Sequence, residues 1–120
     1  MKRVFVLAIG LALAAATPAA SGRAESFDAE HTYNTYCVQC HGLHRNGTGI
    51  NVPALSVKPR DHTDTKAMGD MPDEEIFNAI KSGGLAVNKS VLMPAWGGVL
   101  NDDEIKAMVA CLRTVCKCGH

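Results

Sequence analysis

The sequence predicts an all-α fold of three to four short helices joined by long loops. Two segments, 72–84 and 101–112, carry apolar residues at helical spacing between clear start and stop signals. A shorter helical stripe precedes them at 26–36. No segment alternates apolar and polar residues for long enough to form a convincing strand. The 120-residue chain has room for one domain with a thin core.

The first residues predict a secretory signal peptide. Lys2 and Arg3 precede an apolar run at 4–16, and small residues follow it up to Ala24. The run is too short for an ordinary membrane span, so we expect cleavage after Ala24 and export to the periplasm, with an uncleaved anchor as the alternative. The chain then divides into a signal peptide, 1–24, a domain, 25–115, and a cysteine-containing tail, 116–120.

Charge argues against nucleic-acid binding. Cleavage removes three of the twelve basic residues and none of the twelve acidic ones, which leaves a mildly acidic domain. Four basic residues gather in one loop: Arg45, Lys58, Arg60 and Lys66. We expect this loop to steer the domain toward an acidic partner.

The first predicted helix spans 26–36 and leads into a pair of cysteines. Its partial apolar stripe consists of Phe27, Ala29, Tyr33 and Tyr36. The following segment, 42–70, contains four glycines and two prolines without any helical or strand period, which predicts a long loop. A loop of that length in a small domain indicates that it wraps a bound group.

The remaining two helices have clear ends. Pro72 suits the first turn of one helix, three acidic residues suit its positive end, and Gly83 ends it. The last helix begins at Asn101, with Glu104 placed to complete a capping box. Its apolar stripe consists of Ile105, Met108, Val109 and Leu112. We expect it to pack across the first helix.

The chemistry-bearing motif is Cys37-Val38-Gln39-Cys40-His41. This CxxCH pattern attaches a c-type haem, because each thiol adds to one vinyl group of the porphyrin and the histidine then lies beneath the iron. The alternatives are a chance match, a zinc half-site or a thioredoxin-type redox pair. A thioredoxin pair belongs in a βαβ pattern, which this chain lacks. We expect one haem, bound through Cys37 and Cys40, with His41 as an iron ligand.

The second axial position decides between electron transfer and ligand chemistry. Met93 lies in an irregular segment, where Pro94 forbids a helix and the side chain is free to point at a buried target. A core methionine is the alternative, and Met108, Met68 and Met71 are assigned to core or loop packing. An open site would admit dioxygen, nitric oxide or peroxide.

The domain resembles the small bacterial monohaem cytochromes c of class I. Tyr33 stands four residues before the first cysteine, and Ala29 lies where the terminal helices of that family cross. The motif lies near the N-terminus of the domain, unlike that of the four-helix-bundle cytochromes. The resemblance implies that Met93 is the sixth ligand of a low-spin iron, and that the Pro53 carbonyl accepts a hydrogen bond from His41. Later features of the family follow in order: Ile80–Gly84, Met93–Trp96 and Asp102–Leu112.

Two further side chains are candidates near the porphyrin. Trp96 is expected at its edge, with the indole N–H free to reach a propionate, although ordinary core packing predicts nearly the same position. His62 lies in the long loop and is the least dismissible of the other histidines, either beside a propionate or, after rearrangement, on the iron.

Three cysteines remain beyond the haem pair. Cys111 stands on the last helix, where many members of the family hold an aromatic residue, and Cys116 and Cys118 follow it. We expect a disulfide between Cys111 and one of the other two, because a ring closed between Cys116 and Cys118 would be strained. The alternatives are an intermolecular bridge and a metal-binding tail that includes His120.

The leading functional hypothesis is a soluble, monomeric, periplasmic one-electron carrier without substrate chemistry of its own. Its partners would be redox proteins. A haem enzyme or gas sensor with an open sixth site is the alternative, and a tethered subunit of a respiratory complex is a third hypothesis.

Overall fold

The computed structural model describes residues 26–119, and the predicted signal peptide lies outside this range. The described residues form helices and loops without strands, as predicted. The α-helices are α1 (Ala29–Thr32), α2 (Val38–His41), α3 (Thr65–Gly69), α4 (Asp73–Ser82) and α5 (Asp102–Cys116). Within this range, no helix has the length and apolar character needed to cross a membrane.

The first predicted helix starts later and runs further than its apolar stripe suggested. Asp28 caps α1 by accepting a hydrogen bond from the backbone of His31 at 2.8 Å. A π-helical turn at Tyr33–Cys37 then joins α1 to α2 without a break, and the backbone N–H of Val38 reaches back five residues to the carbonyl of Tyr33. The haem motif therefore lies on a helix whose first turn contacts α5, as predicted.

The long loop after α2 contains more structure than its composition indicated. A 3₁₀ turn occupies Val52–Ala54, and α3 occupies Thr65–Gly69. Asp64 caps α3 by accepting from the backbone of Ala67, a short-range signal that the absence of a sustained helical period obscured. The prediction of an irregular segment throughout 42–70 is thus wrong at these two places.

The loop is anchored directly on the haem motif. The N–H of Gly49 donates to the carbonyl of Cys40 at 3.0 Å, and the N–H of Asn51 donates to that of Gln39 at 2.9 Å. A side chain at Gly49 would overlap the carbonyl of Gln39, so only glycine permits this close approach. These bonds hold the loop against α2 without a sheet.

The last two long helices follow their predicted signals. Pro72 immediately precedes α4, at its N-cap position, and Gly83, at φ 83°, ends it. Asn101 and Glu104 form the predicted capping box of α5. The 3₁₀ turn Gly84–Val87 follows α4 and leads into the irregular segment that carries Met93.

Arg113 joins α5 to the junction of α3 and α4 from inside the protein. Its guanidinium donates to the carboxylate of Asp73 at 2.7 Å and to the carbonyls of Met68 and Met71 at 2.5 and 2.6 Å. The arginine is only 7% exposed, so it reaches these acceptors with little competition from water. The buried apolar core lies beside it and consists of Tyr33, Met68, Ile76, Ile80, Leu100, Ile105, Met108, Val109, Leu112 and Cys116.

The cysteine pairing differs from the expectation. Cys116 and Cys118 form the disulfide, with Cα atoms 5.2 Å apart, and Cys111 is free. Cys111 and Cys116 lie five residues apart on one helix, which turns their side chains about 140° away from each other. Lys117 adopts the left-handed conformation, at φ 54°, and this turn brings Cys118 back toward Cys116. The helix also extends to Cys116, so this residue is buried core rather than tail.

Candidate functional site

A cavity of about 400 Å³ lies between the haem motif, the long loop and the segment that follows α4. Cys37, Cys40 and His41 line one part of it, and Met93 and Trp96 also line it. Its apolar lining includes Leu55, Val57, Ile76, Ile80, Val87, Leu92, Leu100 and Leu112. Five of the predicted site residues thus face one cavity, and Pro53 is the exception.

The His41 imidazole is hydrogen-bonded to the long loop at residue 60 rather than at residue 53. Its Nδ1 lies 3.0 Å from the carbonyl of Arg60, whereas Pro53 is exposed and does not line the cavity. The acceptor implied by the family resemblance is therefore wrong for this chain. The physical reason is the path of the loop: Pro53 is part of the 3₁₀ turn, and the chain returns to the histidine only at Arg60.

This hydrogen bond determines which ring nitrogen is available. When Nδ1 carries the proton and donates to Arg60, Nε2 keeps its lone pair and can bind a metal. Burial lowers the pKa of His41, and the hydrogen bond to Arg60 offsets part of that effect. The imidazole is therefore neutral near pH 7, the state that iron ligation requires.

The two motif cysteines are free and half-buried at the cavity wall. Burial raises the pKa of the Cys37 thiol to about 11, with the neighbouring Cys111 and Cys40 adding to the effect. The Cys40 sulfur lies 3.9 Å from the side-chain amide of Asn51. Cys37 thus presents a neutral thiol on the wall that also carries Cys40 and His41.

Met93 is placed by close backbone packing. Its carbonyl accepts from the N–H of Gly84 at 3.0 Å, and a side chain at Gly84 would clash with this segment. Met93 is half-buried, whereas Met68 and Met108 are buried in the core, at 1% and 3% exposure. Met68, Met71 and Met108 also line the cavity, and of these three only Met71 is half-buried like Met93.

Trp96 is held by both its backbone and its ring. Its N–H donates to the carbonyl of Ile80 at 2.9 Å, and its ring lies 5.3 Å from that of Tyr36 at an angle of 50°. Tyr36 is more than half exposed, so this aromatic pair forms one edge of the cavity next to solvent.

His62 is a site residue whose contacts the sequence did not predict. It is 8% exposed, lines the cavity, and lies beside His41 rather than in solvent. Nδ1 of His62 lies 3.0 Å from the Tyr33 hydroxyl. Burial lowers the pKa of His62 to about 3, and repulsion from His41 acts in the same direction.

These residues fit a covalently bound haem. Two free thiols spaced for the vinyl groups, a neutral histidine with Nδ1 occupied, and an apolar cavity are what such a group requires. The family described as "Cytochrome C oxidase, cbb3-type, subunit III" matches residues 26–112, which is more than half of the chain. The chain belongs to this family of c-type cytochromes.

Comparison with a solved structure also supports the assignment of this chain to the c-type cytochromes. The KustC0563 c-type cytochrome aligns with a TM-score of 0.59 and 26% sequence identity, over 73% of this chain and 96% of that one. No curated protein matches at a significant level. The family membership implies covalently bound haem c and an all-α cytochrome c fold, and c-type cytochromes usually work outside the cytoplasm.

Proposed function

We propose that this cytochrome is a soluble, periplasmic one-electron carrier with a single haem. Cys37 and Cys40 would attach the haem, and His41 and Met93 would ligate the iron. The observation that supports this most directly is the single cavity onto which all four residues open. A haem iron with histidine and methionine ligands changes its charge by one electron and has no free position for a substrate.

The chain's own residues would do three things for that group. His41, with Nδ1 held by Arg60, supplies a fixed Nε2 lone pair. The Met93 thioether favours the reduced state and thereby raises the potential. The apolar lining excludes water, which also favours the less charged form of the centre.

Partner recognition would use the basic residues near the cavity. Lys58, Arg60 and Lys89 line it and are exposed, whereas Arg45 is paired with Glu30 and Lys66 with Asp70. The proposed partner surface therefore keeps only Lys58 and Arg60 of the four loop residues predicted from the sequence, and it adds Lys89. Asp61, Asp64 and Glu75 line the same cavity, so its rim is mixed in charge. The contribution of the basic residues to binding an acidic redox protein would appear as a transfer rate that falls as salt rises.

The first experiment is absorption spectroscopy of the purified haem protein, oxidised and reduced, with and without carbon monoxide. Met93→Leu is compared with Met71→Leu, a conservative change at another methionine that lines the cavity. The expected result is a weak far-red sulfur-to-iron band in the parent and in Met71→Leu that disappears in Met93→Leu. Only Met93→Leu should bind carbon monoxide.

The outcomes separate the functional classes. A parent that lacks the far-red band and binds carbon monoxide would overturn Met93 as a ligand and favour a haem enzyme or gas sensor. The family description names an oxidase subunit, so a tethered respiratory subunit is the second candidate. Mass spectrometry of the protein from the periplasmic and membrane fractions distinguishes these: cleavage after Ala24 plus one haem in the periplasmic fraction supports the soluble carrier, and an intact N-terminus in the membrane fraction supports the tethered subunit.

A further inference from the structure

The rings of His62 and His41 are stacked. Their centroids are 4.2 Å apart, and the planes differ by 18°. His62 is not a ring that fills space by chance, because three other contacts hold it. Its backbone N–H donates to the carbonyl of Arg45 at 2.8 Å, its ring Nδ1 lies 3.0 Å from the Tyr33 hydroxyl, and the Tyr33 ring lies edge-on to it at 5.8 Å.

Tyr33 is itself fixed. It is 1% exposed, and the guanidinium of Arg45 lies 5.2 Å from its ring centroid. Arg45 is in turn paired with Glu30 on α1 at 3.0 Å. The contacts therefore run without a gap from α1 through Tyr33 and His62 to the face of His41.

The stack restrains a motion that the hydrogen bond to Arg60 leaves open. Rotation of an imidazole about its Cβ–Cγ bond has a broad energy profile, so one hydrogen bond at Nδ1 allows the ring to rock about that contact. A second ring against its face blocks this rocking. The orientation of an axial imidazole affects its overlap with the iron orbitals, which the electron paramagnetic resonance g values and the potential report.

We propose that His62 is a positioning residue for the axial ligand: held by Tyr33, its ring fixes the imidazole plane of His41 and thereby tunes the iron. This proposal rests on the proposed function, because it requires His41 to ligate the iron. His62 does not touch the iron in this role. The position of its ring beside His41, rather than opposite it, distinguishes this role from that of an alternative ligand.

Three substitutions in the haem-loaded protein distinguish the effect of the ring face of His62 from the effect of its hydrogen bond to Tyr33. His62→Leu removes the aromatic face and keeps an apolar side chain, whereas His62→Phe keeps the face and loses Nδ1. Tyr33→Phe removes only the hydroxyl that holds His62. Ile105→Val is the control, because Ile105 is fully buried in the core and does not line the cavity. The readouts are the midpoint potential at fixed pH and the g values of the oxidised protein.

The ring face should dominate. His62→Leu is expected to change the oxidised-to-reduced ratio at a given applied potential by on the order of threefold, about 28 mV at 59 mV per tenfold, and to spread the g values. His62→Phe and Tyr33→Phe remove the same hydrogen bond and keep the ring at position 62, so both should broaden the g values to a similar extent, and by less than His62→Leu does. Ile105→Val should lower stability without changing either readout.

Two results would overturn the proposal. One is a His62→Leu protein with the potential and g values of the parent; the other is an Ile105→Val protein that shifts them equally, which would reduce the effect to general packing. If His62→Leu does not mature, Tyr33→Phe decides, since unchanged g values there refute the positioning role. Failure of the proposed function is distinct: a parent without a low-spin histidine-ligated spectrum removes His41 itself.

Discussion

Replacement of Arg113 by methionine tests whether the helical frame around the cavity depends on one buried cation. Methionine keeps much of the length and apolar stem of arginine but supplies no donor. The carbonyls of Met68 and Met71 would each lose a charge-assisted hydrogen bond inside the protein, and Asp73 would lose its ion pair. Arg113→Met therefore removes all three contacts between α5 and the junction of α3 and α4 that the guanidinium makes.

The size of the effect follows from the exposure of each acceptor. A hydrogen bond to a charged group contributes about 1.5–3 kcal/mol, so the two carbonyls account for most of the loss. The Asp73 side chain is 65% exposed, and its share is at most about 1 kcal/mol. We expect the free energy of unfolding to fall by at least about 3 kcal/mol, a large fraction of the total for a domain of this size.

The assay is denaturant unfolding of the haem-loaded protein, with the slope compared between variants. Asp73→Asn should cost about 1 kcal/mol or less. Lys106→Met removes a surface ion pair on the same helix, to Asp103, and should stay within about 0.5 kcal/mol of the parent. A loss below about 1 kcal/mol for Arg113→Met, with an unchanged slope, would refute the reasoning that the two carbonyls depend on the guanidinium.

Three further outcomes are expected. Gly49→Ala should destabilise the protein by about 3 kcal/mol in denaturant unfolding, because the added carbon overlaps the Gln39 carbonyl. Gly98→Ala is the control and should not destabilise it, since the space around Gly98 is open; equal effects of the two substitutions would contradict this prediction. Asn101→Ala should lower the thermal midpoint of unfolding through a loss of about 1 kcal/mol, since two backbone donors lose their cap, and no change would count against the capping box. In haem-free protein, alkylation of Cys37 by iodoacetamide should accelerate about tenfold per pH unit from pH 8 to 10. The reason is that only the thiolate reacts and the pKa of the Cys37 thiol is about 11. A rate that reaches a plateau near pH 8 would show that the thiol is not buried.

The helices that the sequence predicted best are those with local end signals. Pro72 and Gly83 delimit α4, and the Asn101 capping box starts α5, because a cap depends on residues only a few positions apart. The short α3 escaped prediction for the opposite reason. Five residues are too few to display a period, and its Asp64 cap carries the whole signal.

The sequence could predict the site residues that belong to one short motif. Cys37, Cys40 and His41 are fixed by spacing, whereas the acceptor for His41 depends on where a long loop returns. That return determines both the choice of Arg60 over Pro53 and the burial of His62. Such contacts join residues far apart in the chain, and composition or periodicity carries no information about them.

The π-helical turn at Tyr33–Cys37 has a consequence for insertions and deletions. It accommodates one residue more than a regular helical turn, so the two ends of this helix are out of phase by about 100° compared with an uninterrupted helix. That offset lets Ala29 pack on the core at one end while Cys37 and Cys40 face the cavity at the other. Deletion of the exposed Asn34 would restore regular geometry yet turn one of these surfaces away from its target. At position 34, the presence of a residue is therefore constrained more tightly than the identity of its side chain.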